Sequence, residues 1–306
     1  MPALELPRYL AESVQRFGPP ERAAWVGDLP DAVAGIAARW ALELGPPYQP
    51  GGSTAWVAPV RDRDGRELVL KVAWRHFEAL HEADGLMTWA GNGTVLLHRA
   101  EHLDDRTSAL LLERCRPGTP LTAAPDEEQD AVIAALLLRL QLEPAPGGPF
   151  RELQSMCDAW ADEAEASYAV AEQPVLDPAV IRDGLALYRA LPGSAERRTL
   201  LVTDLHADNV LAAEREPWLV VDPKPYVGDP TYDVLQHLLN AGDRLHTDPE
   251  ALVRRMAELC GLDPERLTAW LFARLVVETS WEPTYAELAR SLAALPRPGT
   301  GPGATT

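Results

Sequence analysis

Apolar residues recur at two spacings along this chain, and the dominant spacing changes near residue 116. Asp31 to Leu44 carries apolar positions at helical intervals behind an aspartate placed to cap, and Gly45-Pro46-Pro47 ends the run. After the loop Gly51-Gly52-Ser53-Thr54, Ala55 to Val60 and Glu67 to Ala73 read as two β-strands, with Arg61 to Gly65 as the turn between them. Arg75 to Ala90 has a helical pattern, and Thr94 to Leu97 and Ala109 to Glu113 read as further strands. Beyond Arg116-Pro117-Gly118 the helical period takes over. Asp126 to Leu142 presents Ala131, Ile133, Ala134, Leu137 and Leu138 on one face, and Pro144 to Pro149 breaks it. More helices are predicted over 151–171, 178–191, 230–241, 248–260 and 264–291. Two short apolar runs, Leu200-Leu201-Val202 and Leu219-Val220-Val221, interrupt them. The pattern describes a small sheet lobe joined to a larger helical lobe, with the hinge near Glu113 to Pro117.

Composition narrows the class of protein. The chain has 306 residues, enough for two lobes with a cleft or one large domain. With 46% hydrophobic and 24% charged residues, it can bury an ordinary globular core. A formal charge of −18 argues against nucleic acid as a partner and would suit a positively charged small molecule, although solvated acidic faces that keep the protein soluble explain the charge better by themselves. Cys115, Cys157 and Cys260 are far apart and form no CxxC pair, so no disulfide framework or cysteine zinc site is indicated. No signal peptide or membrane-length apolar run is visible, and a soluble, cytoplasmic protein is expected.

The most informative stretch runs from Leu201 to Leu211 and on to Trp218-Leu219-Val220-Val221-Asp222-Pro223. Asp204 and Asp222 each follow a short apolar run, which puts both at strand ends, with Asn209 in the loop between. Phosphoryl transfer needs a carboxylate to receive the acceptor's proton, oxygen ligands for Mg²⁺ and cations on the phosphates. Asp204 suits the first role, and Asn209 and Asp222 suit the second. The interval Asp204-xxxx-Asn209 matches the catalytic-loop spacing of protein kinases, with the later aspartate in register.

Upstream, Lys71 sits among the aliphatics of Leu68 to Ala73, where an ammonium must reach water or meet an anion. The helical segment behind it carries Glu78 and Glu82 on one face at i, i+4. A kinase needs a helix glutamate to hold its phosphate-binding lysine; Glu82 is favoured, with Glu78 in reserve. The Gly51 to Thr54 loop, including Gly52 and Ser53, fits neither the dinucleotide nor the P-loop fingerprint. It is either a backbone cradle for phosphates or a turn.

These residues, with Ala213 to Trp218 and Val227-Gly228-Asp229-Pro230, resemble the aminoglycoside phosphotransferases, closest to the streptomycin 6-phosphotransferase and hydroxyurea phosphotransferase branch, over about Glu21 to Arg290. The resemblance implies an α+β, protein-kinase-like two-lobed fold with a small antiparallel sheet in the N-lobe and a mainly helical C-lobe. It implies ATP and Mg²⁺ in the cleft, Asp204 as base, Asn209 and Asp222 on the metal, and Lys71 on the α- and β-phosphates. Glu113 and Cys115 would offer backbone groups to adenine, and Phe272 to Glu287 is a candidate wall of the acceptor site, where Glu278, Trp281 and Glu282 either face the ligand or serve ordinary packing and solvation. The corresponding division is 1–115 for the N-terminal, nucleotide-binding lobe and 116–294 for the lobe carrying the catalytic loop, metal site and acceptor site. Residues 295–306 would form a disordered tail.

One position departs from the family. Where its members usually begin the loop with His-Gly-Asp or His-x-Asp, this chain has Val202-Thr203-Asp204, losing an imidazole that helps fix the loop. Two other functions compete with an active kinase. A degenerate kinase fold could bind a nucleotide or small ligand without catalysis. His98-Arg99-Ala100-Glu101-His102 fits the pattern of inverted zinc proteases, which need both histidines on one helix face.

Overall fold

A computed structural model describes residues 4–16 and 20–294; the tail expected from residue 295 lies outside the described residues. The described residues divide into two compact units, one within 4–119 together with 211–221, the other of 120–210 together with 222–294.

The first unit opens with α1, Arg8–Arg16, and α2, Pro20–Trp40. The buried stripe of α2 (Trp25, Leu29, Val33, Ile36 and Trp40) begins before Asp31, so that residue lies inside the helix instead of capping it. The helix stops at Trp40, where Ala41 turns to a φ of 55°, and Glu43–Leu44 continue as a short strand, β1. Strands β2, Ala55–Arg61, and β3, Glu67–Trp74, form the expected hairpin. Helix α3, Glu82–Trp89, is shorter than its sequence pattern, because Phe77–Ala79 forms a separate 3-10 turn. Next come β4, Leu97–His102, and β5, Thr107–Glu113. Among the described residues these strands form one antiparallel sheet in the order β1-β2-β3-β5-β4.

Alternation along β2 and β3 gives the sheet two buried faces. Trp56, Val60, Leu70 and Val72 pack with α2 on one. Val69, Leu110 and Leu112 pack with Leu86 of α3 on the other. Each fully buried aliphatic contributes about 1.5–3 kcal/mol to the core. Lys71, opposite Val57 and Leu110, belongs to the α3 face.

The expected strand at Thr94 lies further on, at Leu97. Thr94 instead bridges to Val220, which accepts a bond from the Val95 N–H. His98 and His102 consequently sit on a strand, their Cα atoms roughly 13 Å apart along the chain direction. Glu101 pairs with Arg39 and Trp40. The single helix face that a zinc-protease site requires is not formed.

The second unit contains α4, Asp126–Leu140; α5, Leu153–Val170; and α6, Pro178–Ala190. Four short strands follow along the chain: β6, Thr199–Leu201, and β9, Tyr226–Gly228, lie in this unit, whereas β7, Val210–Ala212, and β8, Trp218–Val220, belong from Leu211 on to the first. Strand β6 pairs with β9, and β7 with β8. The unit ends with α7, Leu235–Leu239; α8, Asp243–Thr247; α9, Pro249–Cys260; α10, Pro264–Thr279; and α11, Ala286–Ala293. The single helix expected over 264–291 breaks after Thr279, where Pro283 lacks a donor and Glu282 caps Thr284. Helix α10 is the buried axis, with Trp270, Phe272, Leu275 and Val276 inaccessible. Gly184 of α6 lets that helix close on α10, since a β-carbon there would meet Val276 at 2.5 Å. No helix among the described residues is long and apolar enough to cross a membrane.

Candidate active site

In the first unit, Lys71 points from the centre of β3 to the first residue of α3. Its Nζ donates to both Glu82 oxygens at 2.7 Å, and the two side chains are 8% and 4% exposed. Strand register sets the lysine, and the start of α3 sets the glutamate. The carboxylate also lies in the first turn of the helix, where the backbone dipole favours negative charge.

The other residues expected to bind nucleotide are spread around the same sheet. Gly52 and Ser53 lie exposed in the loop before β2, and nothing approaches within 4 Å of a β-carbon placed on Gly52. The Ser53 carbonyl accepts from Arg22 and from Ser13. Glu113 ends β5, and its side chain is committed to structure: it accepts from the Leu96 N–H at 2.9 Å and from Arg215 at 2.9 Å. Burial would raise the Glu113 carboxyl, but those bonds hold it below the usual range. Cys115 is half-buried. Desolvation first, then the nearby Glu113 charge, pushes its thiol up to about 12, so it is not a nucleophile at neutral pH.

In the second unit, Asp204 follows β6 and Asp222 follows β8. Both approaches use left-handed backbone at residues other than glycine: φ is 53° at Thr203 and 54° at Asp222. Such conformations cost about 1–3 kcal/mol each and persist where surrounding bonds enforce them. Here the bonds are visible. The buried Asp233 carboxylate accepts from the Val202 N–H at 3.0 Å and the Thr203 N–H at 2.7 Å, while Thr203 Oγ1 donates to the Lys224 carbonyl. Val202 itself is fully buried. The loop that lacks the family's usual imidazole is therefore held through backbone N–H groups and one hydroxyl.

Asn209 donates its amide to the Asp204 carbonyl at 3.0 Å and lies 3.5 Å from Asp204 Oδ2. That leaves its amide oxygen as an acceptor. Lys224 Nζ pairs with the Asp222 carboxylate and lies 3.7 Å from Asp204 Oδ2, so one ammonium joins the two aspartates. His206 Nε2 is 4.0 Å from Asp204 Oδ1. Burial raises the Asp204 carboxyl above its ordinary value and Asp222 adds to the rise, against the pull of Lys224. Burial likewise pushes Asp233 up to about 7, against its two backbone N–H bonds.

Asp204, Asn209 and Asp222 are thus gathered in one cluster, and Lys71 and Glu82 are paired as expected. The sequence pattern missed Lys224 and Asp233. Lysine between two prolines directly after Asp222 was the available signal for the first. Asp233 had none, because its partners lie 30 and 31 residues back. Of the residues expected to wall the acceptor site, Glu278 is taken up by Arg274, whose guanidinium lies 4.0 Å from the Trp160 ring centroid. Trp281 is 44% exposed and meets Trp160 edge-on at 6.0 Å.

An antiparallel sheet with a lysine–glutamate pair, and a mainly helical remainder with this aspartate loop, define a protein-kinase-like fold. The sequence profile of aminoglycoside/hydroxyurea antibiotic resistance kinases matches residues 39–284, and the chain belongs to that family of enzymes. It is 35% identical over 286 residues to streptomycin 6-kinase of Streptomyces griseus, covering 91% of each chain. To the hydroxyurea phosphotransferase of Kitasatospora aureofaciens it is 36% identical over 300 residues, covering 94% of this chain and 82% of that one. Among solved structures it resembles a thermostable mutant of aminoglycoside phosphotransferase APH(4)-Ia in ternary complex with ADP and hygromycin B. The TM-score is 0.56 at 16% identity, over 88% of this chain and 99% of that one.

Proposed function

We propose that the protein transfers the γ-phosphoryl group of ATP to a hydroxyl of a small, cationic, aminoglycoside-like or other antibiotic or specialised metabolite. The observation that carries this is the gathering of Asp204, Asn209 and Asp222 on two strand ends, with Lys224 Nζ between the two carboxylates. In the reaction the acceptor oxygen bonds to phosphorus, the bond to the bridging oxygen of ADP breaks, and the acceptor proton passes to Asp204. The raised proton affinity of Asp204 suits a base that must hold that proton. Lys71, fixed by Glu82, directs its charge at the nucleotide phosphates, and Glu113 and Cys115 supply backbone groups to adenine.

The donor set fits Mg²⁺: a partly exposed Asp222 carboxylate and the Asn209 amide oxygen are hard oxygen ligands, few in number. Bound there, the ion would neutralise charge on the triphosphate. The acceptor's cationic character finds support in the chain's charge of −18, and its class in the relatives named above.

The test is mass spectrometry of streptomycin, hydroxyurea, and mixed aminoglycosides and nucleosides incubated with the protein, ATP and Mg²⁺. A phosphate-sized mass gain on one of them, lost in Asp204→Asn, is expected. Nucleotide binding without product from any acceptor would favour a non-catalytic fold.

A further inference from the structure

Lys224 is held more tightly than a solvated lysine needs to be. Pro223 and Pro225 flank it and restrict the backbone on both sides. Its N–H donates to the Val202 carbonyl at 2.9 Å, and its own carbonyl accepts from Thr203 Oγ1. The segment is thereby stitched to the loop that ends in Asp204. The side chain is 9% exposed, and its ammonium reaches both Asp222 and Asp204. Such fixing costs side-chain entropy and desolvation, which a surface lysine avoids.

The position of that charge is informative. An acceptor hydroxyl poised for transfer lies about 2.6–3.2 Å from its base. The reacting phosphorus lies roughly 3–3.5 Å beyond it. An ammonium 3.7 Å from Asp204 Oδ2 is near enough to the base for a lysine side chain to reach the equatorial oxygens on which the moving group spreads its charge. The Asp204 and Asp222 carboxylates repel a polyanion that arrives beside them. A fixed cation there lowers the repulsion most when the phosphoryl group is in transit.

Resting on the phosphotransfer proposed above, we infer that Lys224 is a second phosphate-directed cation, a catalytic residue that contacts the phosphoryl group during transfer. Its ammonium exchanges carboxylate oxygen for phosphoryl oxygen. It gains and loses no proton; that passes from acceptor to Asp204, and ADP leaves with the broken bond's electron pair.

The test compares wild type, Lys224→Met, Lys224→Arg and Asp204→Asn. Turnover is measured with whichever acceptor gains phosphate. Separately, equilibrium binding is measured for AMP-PNP with Mg²⁺ and for ADP with aluminium fluoride and Mg²⁺, a mimic of the phosphoryl in transit. Lys224→Met should lower kcat about a hundredfold, as loss of one transition-state donor does. AMP-PNP affinity should stay within about threefold, while the fluoroaluminate complex weakens about tenfold or more. Lys224→Arg should recover at least about a tenth of wild-type kcat, because the charge remains.

Equal loss in the Met and Arg variants, or equal weakening of both nucleotide complexes, would assign Lys224 to structure and overturn the inference. So would an active Lys224→Met beside an inactive Asp204→Asn, a result that leaves the phosphotransfer assignment intact. If Lys224→Met does not melt cooperatively, Lys224→Gln is judged on the same criteria. A wild type that phosphorylates nothing, or an Asp204→Asn with full turnover, instead removes the parent proposal.

Discussion

The pair Lys71 and Glu82 shows how much a single contact depends on its partner. Both side chains are almost inaccessible, so removing one charge takes a short, buried ion pair from the other. Lys71→Met should destabilise the protein by about 3–5 kcal/mol, measurable by urea unfolding. Adding Glu82→Gln should return much of that loss while leaving nucleotide binding impaired; a single variant of wild-type stability would contradict the pairing. At the proposed metal site, Asp222→Asn should weaken AMP-PNP binding in Mg²⁺ and leave metal-free binding unchanged, as calorimetry would show. These residues were legible because their signals are local. Asp204 and Asn209 lie within one loop, and Lys71 stands out against its aliphatic strand. Lys224 and Asp233 were not, because their roles arise when separate segments meet. Asp233 is an ordinary helix-entry acid until the Val202 and Thr203 N–H groups are found on it.

Between elements, the clearest tie is the wholly buried Asp130 of α4. It accepts from His237 of α7 at 2.8 Å, Arg244 of α8 at 2.9 Å and Arg255 of α9 at 2.6 Å. Burial pushes its carboxyl up, but the His237, Arg244 and Arg255 bonds outweigh burial and hold it well below the usual range. A carboxyl depressed in the folded state contributes its stability above the unfolded value of about 4 and loses it as pH falls further. Asp130→Asn should cost about 2–3 kcal/mol at pH 7, discounted for the partly exposed arginines, and should flatten the fall in melting temperature below pH 4. A variant with the wild-type acid profile would contradict this role. Element boundaries were harder to read than element types. The α2 stripe extends back past Asp31, and the pattern of 264–291 conceals the break before Pro283, because both outcomes depend on tertiary contacts.

At the scale of the molecule, the change of period near residue 116 anticipated an antiparallel sheet followed by helices. Chain order could not show that 211–221 would cluster with the first unit. That clustering rests on distant bonds: Val95 N–H to the Val220 carbonyl, Gly118 N–H to the Ala212 carbonyl, and Arg215 to Glu113 and the Thr94 carbonyl. The proposed activity draws on the aspartate cluster of the second unit. It depends most on Asp204 receiving the acceptor's proton. The direct measurement is the single-turnover rate of label transfer from γ-labelled ATP to the acceptor, in wild type and in Asp204→Asn at equal nucleotide occupancy. A fall of about 10²–10⁴-fold with unchanged nucleotide affinity is predicted for loss of a general base. An Asp204→Asn rate equal to wild type would contradict the account.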